Sequence, residues 1–121
     1  MQKIERKIGD FDDEVFTIDL TKYNKTGTDV QDIIFSVKVN KTDADDTLFL
    51  KKLSAGATEM TVEGTTLLTV NVKWPNDEYD QFSTKLKYIA GLFIHFIGDP
   101  AADEHVNTLF ELSIEQDFLR V

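Results

Sequence analysis

Hydrophobic and polar residues alternate with a period of two in four segments of this chain. This pattern is typical of a β-strand with one face on a core and the other in water. The apolar positions are Phe16, Ile18 and Leu20; Ile33, Phe35, Val37 and Val39; Leu68, Val70, Val72 and Trp74; and Phe110, Leu112 and Ile114. Thirteen Thr against six Ala point the same way, because β-branched residues suit strands better than helices. Each segment is predicted to be a strand.

Weaker signals lie between these strands. The short segment Leu48–Lys52 is apolar at its start and ends in lysines, which fits a short strand. Alternation at Thr58, Met60 and Val62 predicts the first arm of a hairpin, with its turn at Glu63-Gly64 and the Leu68–Trp74 strand as its second arm.

The segment from residue 77 to residue 97 is more complex. Apolar residues occupy both faces after Gly91, which predicts a central strand, and the pair Ala90-Gly91 suggests a bulge or bend within it. Residues 77–88 allow two interpretations: a helical turn, from the spacing of Tyr79, Phe82, Leu86 and Ile89, or a strand, from the alternation of Phe82, Thr84, Leu86 and Tyr88. We favour a short turn after Pro75 and then a strand.

Six to eight short strands, separated by polar turns and without a long helical segment, indicate the fold class. The sequence predicts an all-β, antiparallel β-sandwich. At 121 residues, it is expected to form a single domain over residues 1–121.

Composition excludes several classes of function. The net charge of −9 repels phosphate backbones, so we expect no nucleic-acid partner. The absence of Cys excludes disulfides, thiol catalysis and Cys-based metal sites. Met1–Asp10 is charged and lacks the apolar stretch of a signal peptide, and Ile89–Ile97 is too short to cross a membrane. We therefore expect synthesis in the cytoplasm and no membrane partner.

Candidate chemistry is sparse. His95 lies in an apolar strand and His105 in an acidic loop, and neither has an apparent catalytic partner. The acidic run 43–46 does not fit an EF-hand loop, which would need Gly and Glu where Leu48 and Ser54 stand. We therefore predict no enzyme activity, no metal ligands and no cofactor, although a calcium site of another type than the EF-hand, built from loop carboxylates, remains an alternative.

Four residues are candidates for contact with a ligand or a partner. Trp74 continues the inward set of its strand, so it is predicted to pack in the core, whereas Tyr23 and Tyr79 lie in polar segments and are better surface candidates. At the end of the sequence, Phe118 keeps the inward phase of the last strand. Leu119 and Val121 have the opposite phase, so they are candidate partner contacts.

The order of these elements resembles a known family. Gly9-Asp10 precedes the first predicted strand, which closes with Asp19-Leu20-Thr21. The succeeding features are Phe35-Ser36-Val37-Lys38, an acidic turn, Leu48–Leu53, Leu68–Trp74 followed by Pro75-Asn76-Asp77, Tyr88 and Gln116-Asp117. In this order and spacing the chain resembles the Ig-like β-sandwich domains of tailed-phage structural proteins, in particular the N-terminal domain of baseplate upper proteins and related tail-fibre or tail-accessory proteins.

The resemblance implies an Ig-like sandwich that is a non-enzymatic part of a phage or prophage tail. Its partners would be other virion proteins or further copies of itself, and its place the virion. The alternative is a small module that binds a ligand, such as a carbohydrate, through Tyr23, Tyr79 or loop carboxylates.

Overall fold

The structure is a computed structural model that describes residues 2–8, 13–40, 42–44, 46, 48–75, 78, 82, 86–98 and 107–116. For residues 2–8 and 107–116 the description covers the backbone, and Leu112 is the one residue of these two ranges whose side chain is also described. The described strands are β1 (Gln2–Ile8), β2 (Glu14–Asp19), β3 (Val30–Lys38), β4 (Phe49–Lys52), β5 (Met60–Glu63), β6 (Leu67–Val72), β7 (Lys87–Phe96) and β8 (Asn107–Gln116). Three 3₁₀ turns join the strands, Thr21–Tyr23, Gly27–Asp29 and Leu53–Ala55, and the described residue Glu78 is helical. The regular structure of the described residues is otherwise β, so the fold is all-β.

The strands form two sheets. The first has the order β1-β8-β7-β3-β4 and the second the order β2-β6-β5. The predicted hairpin is confirmed, because β5 and β6 are antiparallel neighbours with Met60 opposite Val72. The prediction of a central strand is also confirmed, since β7 lies between β8 and β3.

Strand β1 was not expected from the sequence. It is at the edge of the first sheet and pairs with β8 in parallel, with Ile4 opposite Leu112, so the expectation of purely antiparallel pairing is wrong at this edge. Four of the seven residues of β1 are charged, so the segment shows no clear alternation of apolar and polar residues that would predict a strand. Edge strands commonly carry charge, because it discourages pairing with a further chain.

The two sheets share one hydrophobic core, formed by the inward positions that the alternation predicts. Nine of these positions are fully buried: Leu20, Ile33, Phe35, Val37, Leu68, Val70, Val72, Trp74 and Leu112. Val39 was expected to join them but is 40% exposed, because β3 ends one residue earlier at Lys38. The burial of Leu112 extends the core to β8.

An aromatic cluster occupies the middle of this core. The Trp74 ring stacks on Phe49 with a centroid distance of 4.4 Å, and it meets Phe82 and Phe35 edge-on at 5.4 and 5.7 Å. The backbone N–H of Trp74 donates to the Asp13 carboxylate at 2.8 Å. The predicted core role of Trp74 is confirmed, although β6 itself ends at Val72.

The bulge expected at Ala90-Gly91 is wrong. Both residues pair in regular register with β3 on one side and β8 on the other. The irregularity lies instead near the start of β3, between Val30 and Asp32. Hydrogen bonds from two neighbouring strands hold the middle of β7 in register, whereas the end of a ladder tolerates an extra residue more easily.

Most of residues 77–88, for which the sequence allowed a helical turn or a strand, lies outside the described residues. Phe82 is buried against Tyr88, with ring centroids 5.1 Å apart. Leu86, an inward position in either interpretation, is 46% exposed and precedes β7.

Candidate functional site

Tyr23, predicted as a surface contact, closes the 3₁₀ turn that follows β2. This turn is held by the Asp19 carboxylate, which accepts hydrogen bonds from the Thr21 backbone N–H at 3.0 Å and from its hydroxyl at 2.6 Å. The Tyr23 ring is half-buried and tilts against Phe96 at a centroid distance of 6.5 Å, with the Lys22 ammonium 5.3 Å from its centroid. Tyr23 therefore contributes packing as well as surface.

A small hollow lies beside this ring. Its volume is about 90 Å³, and Asp19, Lys22, Tyr23 and Leu92 are among its lining residues. The hydrogen bonds from Thr21 lower the pKa of Asp19, and Lys22 adds to this effect, so the hollow carries a carboxylate at neutral pH. The volume suits roughly three water molecules, which is small for a sugar ring.

The other three predicted contact residues, Tyr79, Leu119 and Val121, lie outside the described residues. Large apolar side chains that are exposed in the described part of the chain are Val15, Val39, Leu67, Leu86 and Ile97. All five are aliphatic, so no aromatic ring is among the exposed large apolar side chains of the described residues.

The outer surface of the second sheet carries a group of exposed, uncharged residues on β2 and β6 that the sequence analysis did not single out. Val15 on β2 and Leu67 on β6 are 59% and 60% exposed, and the paired Thr17 and Thr69 lie exposed in the row between them. We call these four residues the uncharged face. Leu67 pairs with Asp19, four residues beyond Val15 on β2. Two residues along a strand span about 7 Å, so the face is roughly 14 Å long from Val15 to Leu67.

A signal for the uncharged face was present in the sequence. Val15 and Leu67 are apolar residues at outward positions of strands whose inward phase is already apolar, at Phe16 and Leu68. The strand pairing then brings the two outward positions onto one surface. That pairing is a tertiary property, which the sequence pattern does not specify.

A larger pocket opens where β3 begins and the β5–β6 hairpin turns. It has a volume of about 330 Å³, and we call it the end pocket; its lining residues are Gly27, Thr28, Val30, Leu53, Val62, Gly64, Thr65 and Leu68. The 3₁₀ turn on one side is capped by Asp29, whose carboxylate accepts the Thr26 N–H at 2.9 Å. The Gly27 N–H donates to the Thr65 carbonyl at 2.6 Å and ties this turn to the hairpin.

The acidic residues and histidines that were considered as metal ligands do not lie together in the described part of the structure. The Asp43 carboxylate accepts the Asn40 N–H at 3.1 Å and so closes its own turn. His95 is half-buried on β7 opposite Asp32, and His105 lies outside the described residues. In the part of the chain that the structure describes, His, Asp and Glu side chains do not gather in any group of three that could hold a metal ion.

Comparison of the chain with protein-family models, with curated proteins and with solved structures gave no match. Within the described residues, no helix is long and apolar enough to cross a membrane.

Proposed function

We propose that this chain is a non-enzymatic assembly protein: an Ig-like β-sandwich that joins other proteins in the virion of a tailed phage or prophage. Its partners are other tail proteins or further copies of itself. The proposal combines the family resemblance of the sequence with two features of the structure, the strand order and the uncharged face.

The strand order supports the Ig-like part of the proposal. In Ig sandwiches, strands C, F and G form one sheet and B, E and D lie together in the other. The order β8-β7-β3-β4 corresponds to G-F-C-C′, and β2-β6-β5 corresponds to B-E-D. Tyr88, the second residue of β7, occupies the position of the Ig tyrosine near the start of strand F, and the buried Ala90 stands two residues on, where antibody domains have Cys.

The uncharged face is the observation that carries the assembly role. Charged residues make up 29% of the chain, yet Val15, Thr17, Leu67 and Thr69 are exposed and uncharged neighbours on two paired strands. Two charged residues flank them on the same surface, Asp19 opposite Leu67 and Glu63 opposite Thr69. The centres of protein interfaces are depleted in charged residues, because each buried charge must be desolvated. β2 and β5 are the outer strands of this narrow sheet, and such edges also take part in strand addition.

The test is incorporation into particles. We expect mass spectrometry of phage particles, purified from the strain that encodes the chain, to detect it at a copy number comparable to that of other tail proteins. Complementation with Val15→Asp and Leu67→Asp should lower its incorporation at least tenfold, because both changes place a charge on the uncharged face.

The matched controls are Val39→Asp and Leu86→Asp, since these residues are also exposed, at 40% and 46%, but lie outside the uncharged face. Both control proteins should be incorporated like the parent. Absence of the chain from particles would refute the virion role. Equal loss with test and control variants would refute the role of the uncharged face.

A further inference from the structure

Strand β2 is an outer strand of the second sheet, and its hydrogen bonds show which of its backbone groups face outward. The Leu20 N–H donates to the Thr66 carbonyl at 2.8 Å, which continues the β2–β6 register by one pair. In an antiparallel ladder, hydrogen-bonded pairs alternate with pairs that are not hydrogen-bonded. Leu20 and every second residue before it therefore bond to β6. The residues between them direct their backbone N–H and C=O groups away from β6: Val15, Thr17 and Asp19.

This edge is open to a further strand. No hydrogen bond among the described residues reaches the outward backbone groups of Val15 or Thr17. At the opposite edge of the sheet, the Met60 N–H of β5 already donates to the Gly56 carbonyl at 3.2 Å. Residues 15–18 are the longest uncharged run on any described edge strand, and they contain no Pro. Charge and Pro are the usual protection of an edge against pairing, so β2 lacks both over these residues.

The space between the sheets is only partly filled beside β2. Phe16 and Ile18 have the inward phase of their strand but are half-buried, whereas the neighbouring Leu68 of β6 is fully buried. The hollow of about 90 Å³ is lined by Ile18 from β2 and by Leu92 and Ile94 from β7, so it lies between the two sheets at this edge. A strand added beside β2 would cover apolar side chains that the edge position leaves partly open to water.

A second copy of β2 matches this edge in one register. Outward backbone groups bond only to outward groups, so in an antiparallel pair of β2 strands the odd-numbered residues must lie opposite one another. The register with the largest overlap sets Thr17 opposite Thr17 of the second copy, and Val15 opposite Asp19 at both ends. It forms three such pairs, each of which exchanges two hydrogen bonds, and it has a two-fold axis at Thr17.

The side chains are compatible in this register. Phe16 lies opposite Ile18 of the second copy, and pairs of an aromatic and a β-branched residue stabilise antiparallel sheets. The Asp19 carboxylate lies opposite Val15 and not opposite another acid. Joined edge to edge, the two three-stranded sheets become one sheet of six strands, and the uncharged face of one copy continues onto that of the other.

We propose that two copies of this chain associate edge to edge through β2, in antiparallel register about a two-fold axis at Thr17. The contact is isologous, so it closes as a dimer and does not grow into a row. This inference rests on the proposed function, since it names a second copy as one partner in assembly and β2 as the surface. The interface is small and each copy has a net charge of −9, so association should be weak and should strengthen when salt screens the repulsion.

Sedimentation velocity of the full chain, at concentrations up to about 1 mM and at low and high salt, tests the dimer. We expect an equilibrium between monomer and dimer without larger species. Thr17→Lys and Thr17→Glu should each weaken association roughly tenfold, because each variant places two like charges opposite each other at the axis. An equimolar mixture of the two variants should recover the dimer, since opposite charges then face each other.

Thr69→Lys and Thr69→Glu are the matched controls. Thr69 is an exposed Thr that pairs with Thr17 but lies on β6, one strand away from the edge. In the dimer it is about 14 Å from its counterpart, farther than the screening length of about 8 Å at physiological salt. Both control proteins should associate like the parent, and mixing them should change nothing.

A single Cys supplies a second measurement. The chain contains no Cys, and paired Cα atoms at the axis lie about 5.5 Å apart, within the range that a disulfide spans. Thr17→Cys should therefore form a disulfide-linked dimer on mild oxidation, whereas Thr69→Cys should not. Because Cys is close to Thr in size, this variant also decides the question if a charged variant fails to fold, which circular dichroism establishes.

A parent that stays monomeric at every concentration would overturn the inference. Equal weakening by the Thr17 and Thr69 variants would also overturn it, as would a mixture of Thr17→Lys and Thr17→Glu that stays monomeric. These outcomes leave the virion role untouched, because incorporation into particles tests that role separately.

Discussion

Replacing Trp74 with Ala tests whether the aromatic cluster holds the two sheets together. Trp74 is fully buried and contacts Phe49, Phe35 and Phe82 at centroid distances of 4.4 to 5.7 Å. The hydrogen bond from the Trp74 backbone N–H to the Asp13 carboxylate does not involve the indole, so we expect it to survive the substitution. The change therefore removes ring packing and leaves the local backbone anchor in place.

The expected loss follows from the area that the ring buries. A buried Trp removes about 200 Å² from water, worth about 5 kcal/mol at 25 cal/mol per Å². A compact unfolded state lowers this figure by roughly 10–40%, and the cavity left by the ring raises it again. We expect Trp74→Ala to lower the free energy of unfolding by about 3–5 kcal/mol, a large part of the 5–15 kcal/mol typical of a domain.

Urea unfolding followed by far-ultraviolet circular dichroism measures this loss. Fluorescence serves only for the parent, because Trp74 is the single Trp; its native emission should be blue-shifted. Trp74→Phe should lose less than half as much, and Leu67→Ala, at a position 60% exposed, should change stability by less than about 0.5 kcal/mol. A loss below about 1 kcal/mol for Trp74→Ala would show that the cluster is not the centre of the core.

Three further predictions concern the backbone, a carboxylate and the end of the sequence. Gly64→Ala should lower the melting temperature more than Gly56→Ala: both glycines have a φ of +107°, but a Cβ on Gly64 would collide with the Leu67 carbonyl, whereas one on Gly56 meets nothing within 4 Å. Carbon-13 NMR should find the pKa of Asp19 below its ordinary value of 3.8, and Thr21→Ala should raise it towards that value. The stability from this lowered pKa is present above the unfolded-state pKa and is lost as pH falls through the folded-state pKa, so Thr21→Ala should flatten the acid limb of a melting profile. Deleting residues 119–121 should change the free energy of unfolding by less than about 1 kcal/mol, and a deletion that unfolds the protein would place these residues in the core.

The sequence by itself determined the class of fold and most of the core. Alternation at Ile33, Phe35 and Val37, and again from Leu68 to Trp74, identified side chains that are fully buried. The side-chain period of a strand is two, so the burial of one face is written directly into the order of residues. The hairpin turn at Gly64 was equally local, because its positive φ favours Gly.

The arrangement of the strands was decided only by the tertiary structure. β1 pairs with β8 across more than 100 residues, and no periodicity in its charged sequence indicates that partner. The prediction of a bulge at Ala90-Gly91 was wrong because the register of β7 is fixed by its two neighbouring strands, which local sequence does not identify. Pairing depends on the fit of distant segments, whereas alternation reports only which face is buried.

The candidate sites depended on tertiary structure most of all. Sequence reasoning selected Tyr23 by residue type, but the structure packs its ring against Phe96. The uncharged face arises only when β2 and β6 pair, and the end pocket only when the turn at Gly27 meets the hairpin at Gly64. Each is assembled from segments about 40 to 50 residues apart, so the sequence determined which residues are apolar, and the fold determined which of them share a surface.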